Sequence, residues 1–247
     1  MSATRDSGRL LVAAPMRIEA ALISSAGATL GSVSLPARRR APSTPGGRQA
    51  HRASRPPDAS GDAARLVRES SASIAPIVRK TGMGPARSKS AAGGLAAAQA
   101  SAMLVLGFCG GLDASSIPGE VIVAQEVYSA QDEGHAPERV SCDLAHQLVH
   151  RLTGLGLKVR TGDVVCVSRL ALGERRAQLH AGGAIAVDME SVWLAAGASG
   201  RPFGVVRVVL DSPEHELLRV RAVGGALRAA SALRRVAGAL HEWAPAV

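Results

Sequence analysis

The stretch AIAVDMESVWLAAGASGRPFGVVRVVLD (184–211) holds an apolar run that ends in acids, a short helical segment and a second apolar run that ends in an acid. Continuous apolar runs such as GVVRVVL (204–210) are typical of parallel strands buried on both faces. Because parallel strands need a crossover, this pattern predicts a parallel sheet covered by helices. Ligands bind beyond the carboxyl ends of such strands, which is where Asp188, Glu190 and Asp211 lie.

The same alternation extends along the rest of the chain. Apolar runs predict further strands at 10–14, 74–79, 103–107, 120–125 and 163–168, and apolar spacing predicts helices that begin near residues 15, 86, 142 and 220. We therefore predict a single α/β domain over 1–247, with a mostly parallel, twisted sheet flanked by helices. The glycines of GFCGGL (107–112) predict a turn directly after their strand.

Composition excludes several classes of protein. Hydrophobic residues make up 47% of the 247 residues but aromatic residues only 2%, so we expect an aliphatic core of small side chains. Cys109, Cys142 and Cys166 fit neither a disulfide scaffold nor a zinc-ligand spacing, which indicates a cytoplasmic protein without a metal. Residues 91–112 carry no charge over a transmembrane length, but their glycines favour a buried helix and strand, so no transmembrane segment is predicted.

The net charge of +9 comes mainly from one segment, because residues 36–57 hold six arginines and no acid. Residues 31–73 are rich in Pro, Gly, Ser and Arg without apolar periodicity, which predicts a disordered basic insert. A nucleic-acid-binding arm is the alternative interpretation and would give binding with a steep salt dependence. A solvated insert is favoured over such an arm, so no nucleic-acid partner is expected.

The loop TGMGPAR (81–87) is a candidate ligand contact between a strand and a helix. Gly82 and Gly84 would let the backbone approach a ligand, and the N–H groups at the start of the following helix would face an anion or a polarised oxygen. A tight turn that needs glycine explains the same residues.

The segment APMRIEA (14–20) places Arg17 and Glu19 just after the first strand. In a site at this strand end, Arg17 would bind an anion and Glu19 would position a water molecule. Two surface charges on a first helical turn are the alternative.

AVDMES (186–191) is the most informative short motif. Two carboxylates that flank Met189 suit the acceptance of hydrogen bonds from both hydroxyls of a ribose, while the methionine packs on the sugar face. Capping of the next helix is the alternative. Asp211 is a site candidate at its strand end, and Arg207, assigned to the same substrate site, needs an acid partner such as Asp188.

Taken in order, PMRIEA, TGMGP, GFCGGL, TGDVVCVS, AVDMES and VRVVLD resemble the nucleoside phosphorylase/nucleosidase superfamily along most of the chain. The resemblance implies a central mixed, partly barrel-like sheet and assembly into a homo-oligomer. It also implies an enzyme that cleaves the N-glycosidic bond of a purine nucleoside. No cofactor is implied, although inorganic phosphate is a co-substrate in phosphorolytic members.

The resemblance also implies roles for individual residues. Asp211 matches the general acid that protonates or hydrogen-bonds purine N7. Glu190 matches the acceptor of the ribose hydroxyls, and Met189 the residue packed against the sugar. Val165 and Cys166 fall where the family lines the base pocket.

Two further matches point to different chemistries. Glu19 matches the glutamate that holds the attacking water in hydrolytic members, whereas Arg17 matches the phosphate-binding arginine of phosphorolytic members. Thr81, Gly82 and Gly84 are assigned to the same phosphate or water site. Because the sequence contains both the glutamate and the arginine, the choice between hydrolysis and phosphorolysis stays open.

One branch of the superfamily is the most similar. PGEVIVAQE (118–126) and VRVVLDSPEHELLRV (206–220) resemble the hopanoid-associated nucleoside phosphorylases. This implies release of adenine from adenosylhopane, a wide apolar pocket beyond the ribose 5′ carbon, and a substrate tail that would allow peripheral membrane contact. The alternatives are a methylthioadenosine/S-adenosylhomocysteine or futalosine nucleosidase, and a catalytically impaired nucleoside-binding member, which the insert and Leu210 would suit.

Overall fold

The computed structural model describes residues 9–30, 75–130, 138–214 and 222–241, together with Trp243 and Pro245. The strands are β1 (Leu10–Ala14), β2 (Ile77–Lys80), β3 (Ala102–Gly111), β4 (Val121–Ser129), β5 (Arg139–Ser141), β6 (Val159–Cys166), β7 (Ala184–Asp188) and β8 (Phe203–Asp211). The helices are α1 (Arg17–Leu30), α2 (Pro85–Ala96), α3 (Ala145–Gly154), α4 (Glu174–Ala181), α5 (Ser191–Ala195) and α6 (Ala222–His241), and a 3-10 turn (Ala196–Ala198) continues α5. The insert predicted over 31–73 lies outside the described residues.

The strands form one mixed sheet that closes on itself in part. The order is β2-β1-β3-β7-β6-β4-β5, and β8 pairs with β3 on one side and with β4 on the other. Five strands (β3, β8, β4, β6 and β7) therefore complete a ring of pairings. The pairs β3–β7, β4–β8 and β4–β5 are antiparallel, and the others are parallel. The predicted α/β fold with a mixed, mostly parallel sheet flanked by helices is confirmed.

Both faces of the sheet are buried, which is why its strands read as unbroken apolar runs. Along β1, Leu10, Val12 and Ala14 pack into a cluster with residues of α1, α3 and α6. The alternate residues Leu11 and Ala13 pack into a second cluster with residues of α2 and α5 on the opposite face. The small aliphatic side chains thus let helices approach the sheet from both sides.

The turn predicted at GFCGGL is wrong, because the strand continues through it. β3 runs to Gly111 and pairs with β8 as far as the register Gly110–Asp211. Glycines usually weaken a strand, so their use here indicates close approach by neighbouring groups. These neighbours include charged side chains.

Within the described part of the chain, no helix combines the length and the apolar character that crossing a membrane requires.

Candidate active site

Gly110 is the point where the sheet brings two strand ends together. On one side it pairs with Val187 near the end of β7, and on the other it pairs with Asp211 at the end of β8. Asp188 at the end of β7 and Glu190 just beyond it therefore lie opposite the acid that ends β8, with β3 between them. Separate motifs in the sequence become one site through this pairing.

A single cavity of about 180 Å³ opens at this place. Its charged lining consists of Glu19, Arg176, Asp188, Glu190 and Asp211. All five side chains are nearly or completely buried. Polar groups removed from water are strongly paired or lie at functional sites, so their interactions decide what the cavity can do.

Arg207 neutralises part of this charge from behind the cavity. The side chain is fully buried within β8, and Nη2 lies 2.5 Å from Asp188 Oδ2 and 3.4 Å from Glu190 Oε2. The Ser191 hydroxyl donates to Asp188 Oδ2 and accepts from Arg207 Nη2 at 2.9 Å. Although burial opposes the guanidinium charge, the two carboxylates raise the pKa of Arg207 above its usual range. The expected acid partner is therefore Asp188.

Glu190 faces the cavity from the N-terminal end of α5. Oε1 accepts a hydrogen bond from the backbone N–H of Gly84 at 3.3 Å, so the TGMGPAR loop touches this carboxyl. Burial raises the pKa of Glu190 to about 7, against the opposing attraction of Arg207. A carboxyl in this state changes charge near neutral pH and accepts hydrogen bonds best above it.

We expect Glu190→Gln to remove a pH-dependent loss of stability. The pKa of this carboxyl rises from its ordinary value of 4.5 in the unfolded chain to about 7 in the folded protein. Its neutral form is favoured on folding, so this contribution is complete below pH 4.5 and disappears as the pH rises through 7. Ionisation should cost the wild type about 1–3 kcal/mol relative to the variant. Urea unfolding of both proteins at about pH 5 and about pH 8, on either side of the folded-state pKa, measures this, and an equal difference at the two pH values would contradict it.

Glu19 is held rigidly by two backbone donors. Oε2 accepts from Met16 N–H at 2.7 Å and Oε1 from Phe108 N–H at 2.6 Å, which ties the start of α1 to β3. Burial raises the pKa of Glu19, and Arg207 and the two N–H groups partly offset this. A fixed carboxyl with a raised pKa is a better base for a water proton than an exposed glutamate.

Gly107 leaves the space that Glu19 and Arg207 occupy. A Cβ atom at this position would lie 2.8 Å from Glu19 Cδ and 2.9 Å from Arg207 Nη1. Both side chains are buried and hydrogen-bonded, so neither moves away without losing partners.

Gly107→Ala is therefore expected to cost about 1–3 kcal/mol of folding free energy and to reduce activity by displacing Glu19. Gly93→Ala is the matched control, because its Cβ would meet nothing within 4 Å. Alanine in that position on α2 should raise stability by about 0.5–1 kcal/mol. Chemical denaturation compares the two variants, and equal stabilities would show that Gly107 is not needed for space.

Asp211 forms an ion pair with Arg176, which comes from the first turn of α4. Arg176 Nη2 lies 2.6 Å from Asp211 Oδ2, and Nε donates to the carbonyl of Ala171 at 2.9 Å. Gly110 lies beneath this pair, since a Cβ there would lie 3.1 Å from Arg176 Nη2 and 3.3 Å from Asp211 Oδ1. The pair is therefore built into the wall of the cavity next to β3.

The rest of the cavity wall is apolar. Met83 and Leu170 are 49% and 68% exposed, which places them at the mouth. Further lining comes from Met16, Phe108, Val167, Met189 and Leu210. Flexible methionine side chains adapt to varied apolar groups.

The predicted site residues separate into two groups. Glu19, Met189, Glu190 and Asp211 line the cavity together. The others do not line the cavity. Arg207 is buried behind the wall, and Gly84 reaches the site only through its backbone N–H. Val165 and Cys166 are buried in the core, Thr81 and Gly82 are partly buried, and Arg17 is exposed on α1. Sequence reasoning missed Arg176, Met83 and Val167.

A family model described as "Phosphorylase superfamily" matches residues 64–238. Among curated proteins, no sequence matches significantly. The solved structure of 5′-methylthioadenosine/S-adenosylhomocysteine nucleosidase from Neisseria meningitidis, with methylthio-immucillin-A, is similar over 96% of this chain and 100% of that chain, with 18% identity and a TM-score of 0.64.

Two other solved structures are similar over nearly the whole chain. S-adenosylhomocysteine nucleosidase from Streptococcus pyogenes is 18% identical over 96% of this chain and 98% of that chain, with a TM-score of 0.61. Futalosine hydrolase from Helicobacter pylori is 14% identical over 95% of this chain and 94% of that chain, with a TM-score of 0.58. At these identities the similarity concerns the fold.

Proposed function

Because the chain belongs to the phosphorylase superfamily, we propose that it cleaves the N-glycosidic bond of a purine nucleoside by hydrolysis. The observation that supports this most is the single cavity lined by Glu19, Glu190 and Asp211. The reaction needs one carboxyl to take a proton from water, one to accept hydrogen bonds from the ribose hydroxyls and one to protonate the base. All three roles of the reaction thus have a candidate group in one place.

The size of the site suits a nucleoside. Glu19 accepts a hydrogen bond from Phe108 on β3, and Asp211 on β8 pairs with Gly110, two residues further along β3. Two residues of a strand span about 7 Å. The sugar therefore lies between Glu19 and Glu190, and the base reaches towards Asp211.

At the sugar end, the carboxylates stabilise positive charge. Breaking the bond from C1′ to N9 gives the ribose positive charge. When they are ionised, the carboxylates of Glu19, Asp188 and Glu190 outnumber the single guanidinium group of Arg207 beside them. Fixed negative groups that need no reorganisation stabilise such a transition state. Glu190 accepts hydrogen bonds from the ribose hydroxyls, and Met189 packs on the sugar.

Each proton and electron pair of the reaction has a destination. The electron pair of the C1′–N9 bond leaves with the base. Asp211, a carboxylate paired with Arg176 in the free protein, takes up a proton from solvent before the bond breaks and donates it to N7. The oxygen of a water molecule bonds to C1′, and Glu19 takes its proton. Exchange with solvent then restores both carboxyls. Proton transfers of this kind contribute about 10²–10⁴-fold each.

Hydrolysis is favoured over phosphorolysis by the charge near Glu19. Of the described residues that line the cavity, Arg176 is the only cation, and it is paired with Asp211. Arg17 is exposed and does not line the cavity. A phosphate anion beside the buried Glu19, Asp188 and Glu190 would be repelled.

The apolar mouth supports an apolar substituent on the 5′ carbon. Methylthioadenosine, S-adenosylhomocysteine and futalosine are the small candidates, and adenosylhopane is the large one that the sequence resemblance implies. A pentacyclic tail exceeds a cavity of about 180 Å³, so it would have to extend past Met83 and Leu170 into solvent or a membrane surface.

Incubation of the protein with methylthioadenosine, inosine, futalosine and adenosylhopane, with and without phosphate, tests this function. We expect free base from at least one of them, at a rate that phosphate does not change. A strict phosphate requirement would overturn hydrolysis, and binding of a nucleoside without release of base from any of the four would instead support an inactive family member.

Assembly into a homo-oligomer and a cytoplasmic location stay predictions. Val223 and Leu227, one turn apart on α6, are 69% and 68% exposed. Such an apolar pair on an outer helix face supports contact with a second copy. Sedimentation should give the mass of an oligomer for the wild type and a smaller mass, closer to that of one chain, for Leu227→Glu.

A further inference from the structure

A groove on the helical surface lies apart from the candidate active site. Its volume is about 730 Å³, and none of the residues of α1, α3 and α6 that line it also lines the active-site cavity. On α6 the lining residues recur at helical spacing from Leu227 to Gly238, so the groove follows one face of this helix. At the rise of an α-helix this stretch is about 16 Å long. The groove therefore has the size of a ligand site.

The floor of the groove is apolar. It is formed by Leu22 and Ala26 of α1 and by Ala230 and Gly238 of α6. Leu155, the residue that caps the C-terminal end of α3, borders the groove and is 51% exposed. Apolar side chains left in water beside a groove are typical of a binding surface.

The charge of the groove has one sign. Among the described residues that line it, the charged ones are Arg151, Arg234 and Arg235. Arg151 donates from Nε and Nη2 to the carbonyl of Ala239, at 3.1 and 3.0 Å, so its position beside the last turn of α6 is fixed. α6 contains three arginines and no acid. The occupant that complements this groove is therefore anionic as well as apolar.

We propose that the groove binds an anionic lipid, with the headgroup at Arg151 and Arg235 and an acyl chain along the apolar floor. The face of the molecule around α6 thereby docks on a negatively charged membrane surface. A helix that carries arginines and exposed leucines but no acid is typical of attachment to such surfaces. The inference concerns where the protein works and does not depend on the proposed function.

The walls of the groove favour a lipid over an acidic peptide. The described residues that line it all belong to α1, α3 and α6 or to the residue that caps α3, so the groove offers no strand edge to a peptide backbone. A peptide would give up hydrogen bonds to water and regain few of them, which is costly. An acyl chain has no such groups to satisfy.

A second copy of the chain would use the other end of the same helix. Val223 and Leu227, which support that contact, precede Arg235 by eight residues or more. This spacing places Arg235 at least about 12 Å away from them along the helix axis. Lipid binding and contact between copies are therefore compatible.

Flotation with lipid vesicles tests the inference. The wild type should bind vesicles that contain phosphatidylglycerol but not vesicles of phosphatidylcholine alone. Arg235→Glu replaces an attraction by a repulsion, so it should weaken binding at least about fivefold. Leu155→Ser leaves the charge unchanged but removes apolar contact, and it should weaken binding about threefold or more.

Lys89→Glu and Leu172→Ser are the matched controls. Lys89 is exposed on α2, which packs on the opposite face of the sheet, and Leu172 is 45% exposed outside the groove. Both variants should bind vesicles nearly as the wild type does. Arg235→Glu should also release base from a water-soluble nucleoside at the wild-type rate in the absence of vesicles, which separates this inference from the proposed function.

Failure of the wild type to bind the anionic vesicles would overturn the inference. Binding that neither Arg235→Glu nor Leu155→Ser weakens would also overturn it, because another basic part of the chain, such as residues 36–57, would then hold the membrane. Calorimetry with glycerol phosphate and with polyglutamate covers the other occupants. Binding of either one without binding of vesicles would indicate a soluble anion or an acidic protein instead. Both substituted side chains are exposed, so the variants should fold.

Discussion

Glu19→Gln is expected to lower kcat for base release by about 10²–10⁴-fold and to change KM little. The amide still fills the space of the carboxyl but cannot take a proton from water. Its nitrogen would also face one of the two N–H donors, Met16 or Phe108, that the carboxylate satisfies. Initial rates of free-base formation over a range of substrate concentrations separate kcat from KM.

Glu120→Gln controls for the loss of any buried carboxylate. Glu120 is 3% exposed and pairs with Arg160 at 3.2 Å and Lys158 at 3.7 Å, outside the cavity lining. Its replacement should reduce stability without changing kcat. A Glu19→Gln enzyme that retains kcat would show that another group activates the water.

Asp211→Asn is expected to lower kcat for a purine nucleoside by a similar factor, about 10²–10⁴-fold. Asparagine can still accept a hydrogen bond from Arg176 but has no proton to transfer to N7. The loss should depend on the leaving group. With a nitrophenyl riboside, whose leaving group departs as a stable anion, the variant should retain most of the wild-type rate.

The dependence on leaving group distinguishes a chemical role from a structural one. Asp113→Asn is the control, because Asp113 also pairs with an arginine, Arg160 at 2.9 Å, but lies outside the cavity lining. It should not change the ratio of the two rates. If Asp211→Asn slowed both substrates equally, Asp211 would hold Arg176 in place rather than donate a proton.

Much of the fold follows from local patterns in the sequence. The apolar runs at 10–14 and 204–210 predict β1 and β8 closely, because strands buried on both faces leave an unbroken apolar signature. The family match also confirms the prediction of an enzyme that cleaves glycosyl bonds. β5 (Arg139–Ser141) went unpredicted, since three partly exposed residues at a sheet edge carry no such signature.

The glycines of β3 show why some features could not be predicted. A glycine cluster after an apolar run usually indicates a turn, yet here Gly107 and Gly110 stay in the strand and make room for buried charged groups. Those groups come from α1, α4 and β8, which are distant in sequence. Close approach between distant segments leaves no local pattern.

Arg176 was missed for the same reason. In the sequence it is one of two arginines in a polar helix, and nothing distinguishes it from Arg175. The structure buries Arg176 and leaves Arg175 exposed. Asp211 and Glu190 were found because Asp211 ends an apolar strand and Glu190 lies two residues beyond one.

The most direct test is to run the reaction in water enriched in ¹⁸O and to analyse the sugar product by mass spectrometry. The reaction is run with and without phosphate. Attack of water on C1′ places one labelled oxygen on the sugar as it is released, and in both cases this label should appear at the same rate as the free base. An unlabelled sugar phosphate, or no sugar product at all, would contradict the assignment of Glu19, Glu190 and Asp211 to one hydrolytic site.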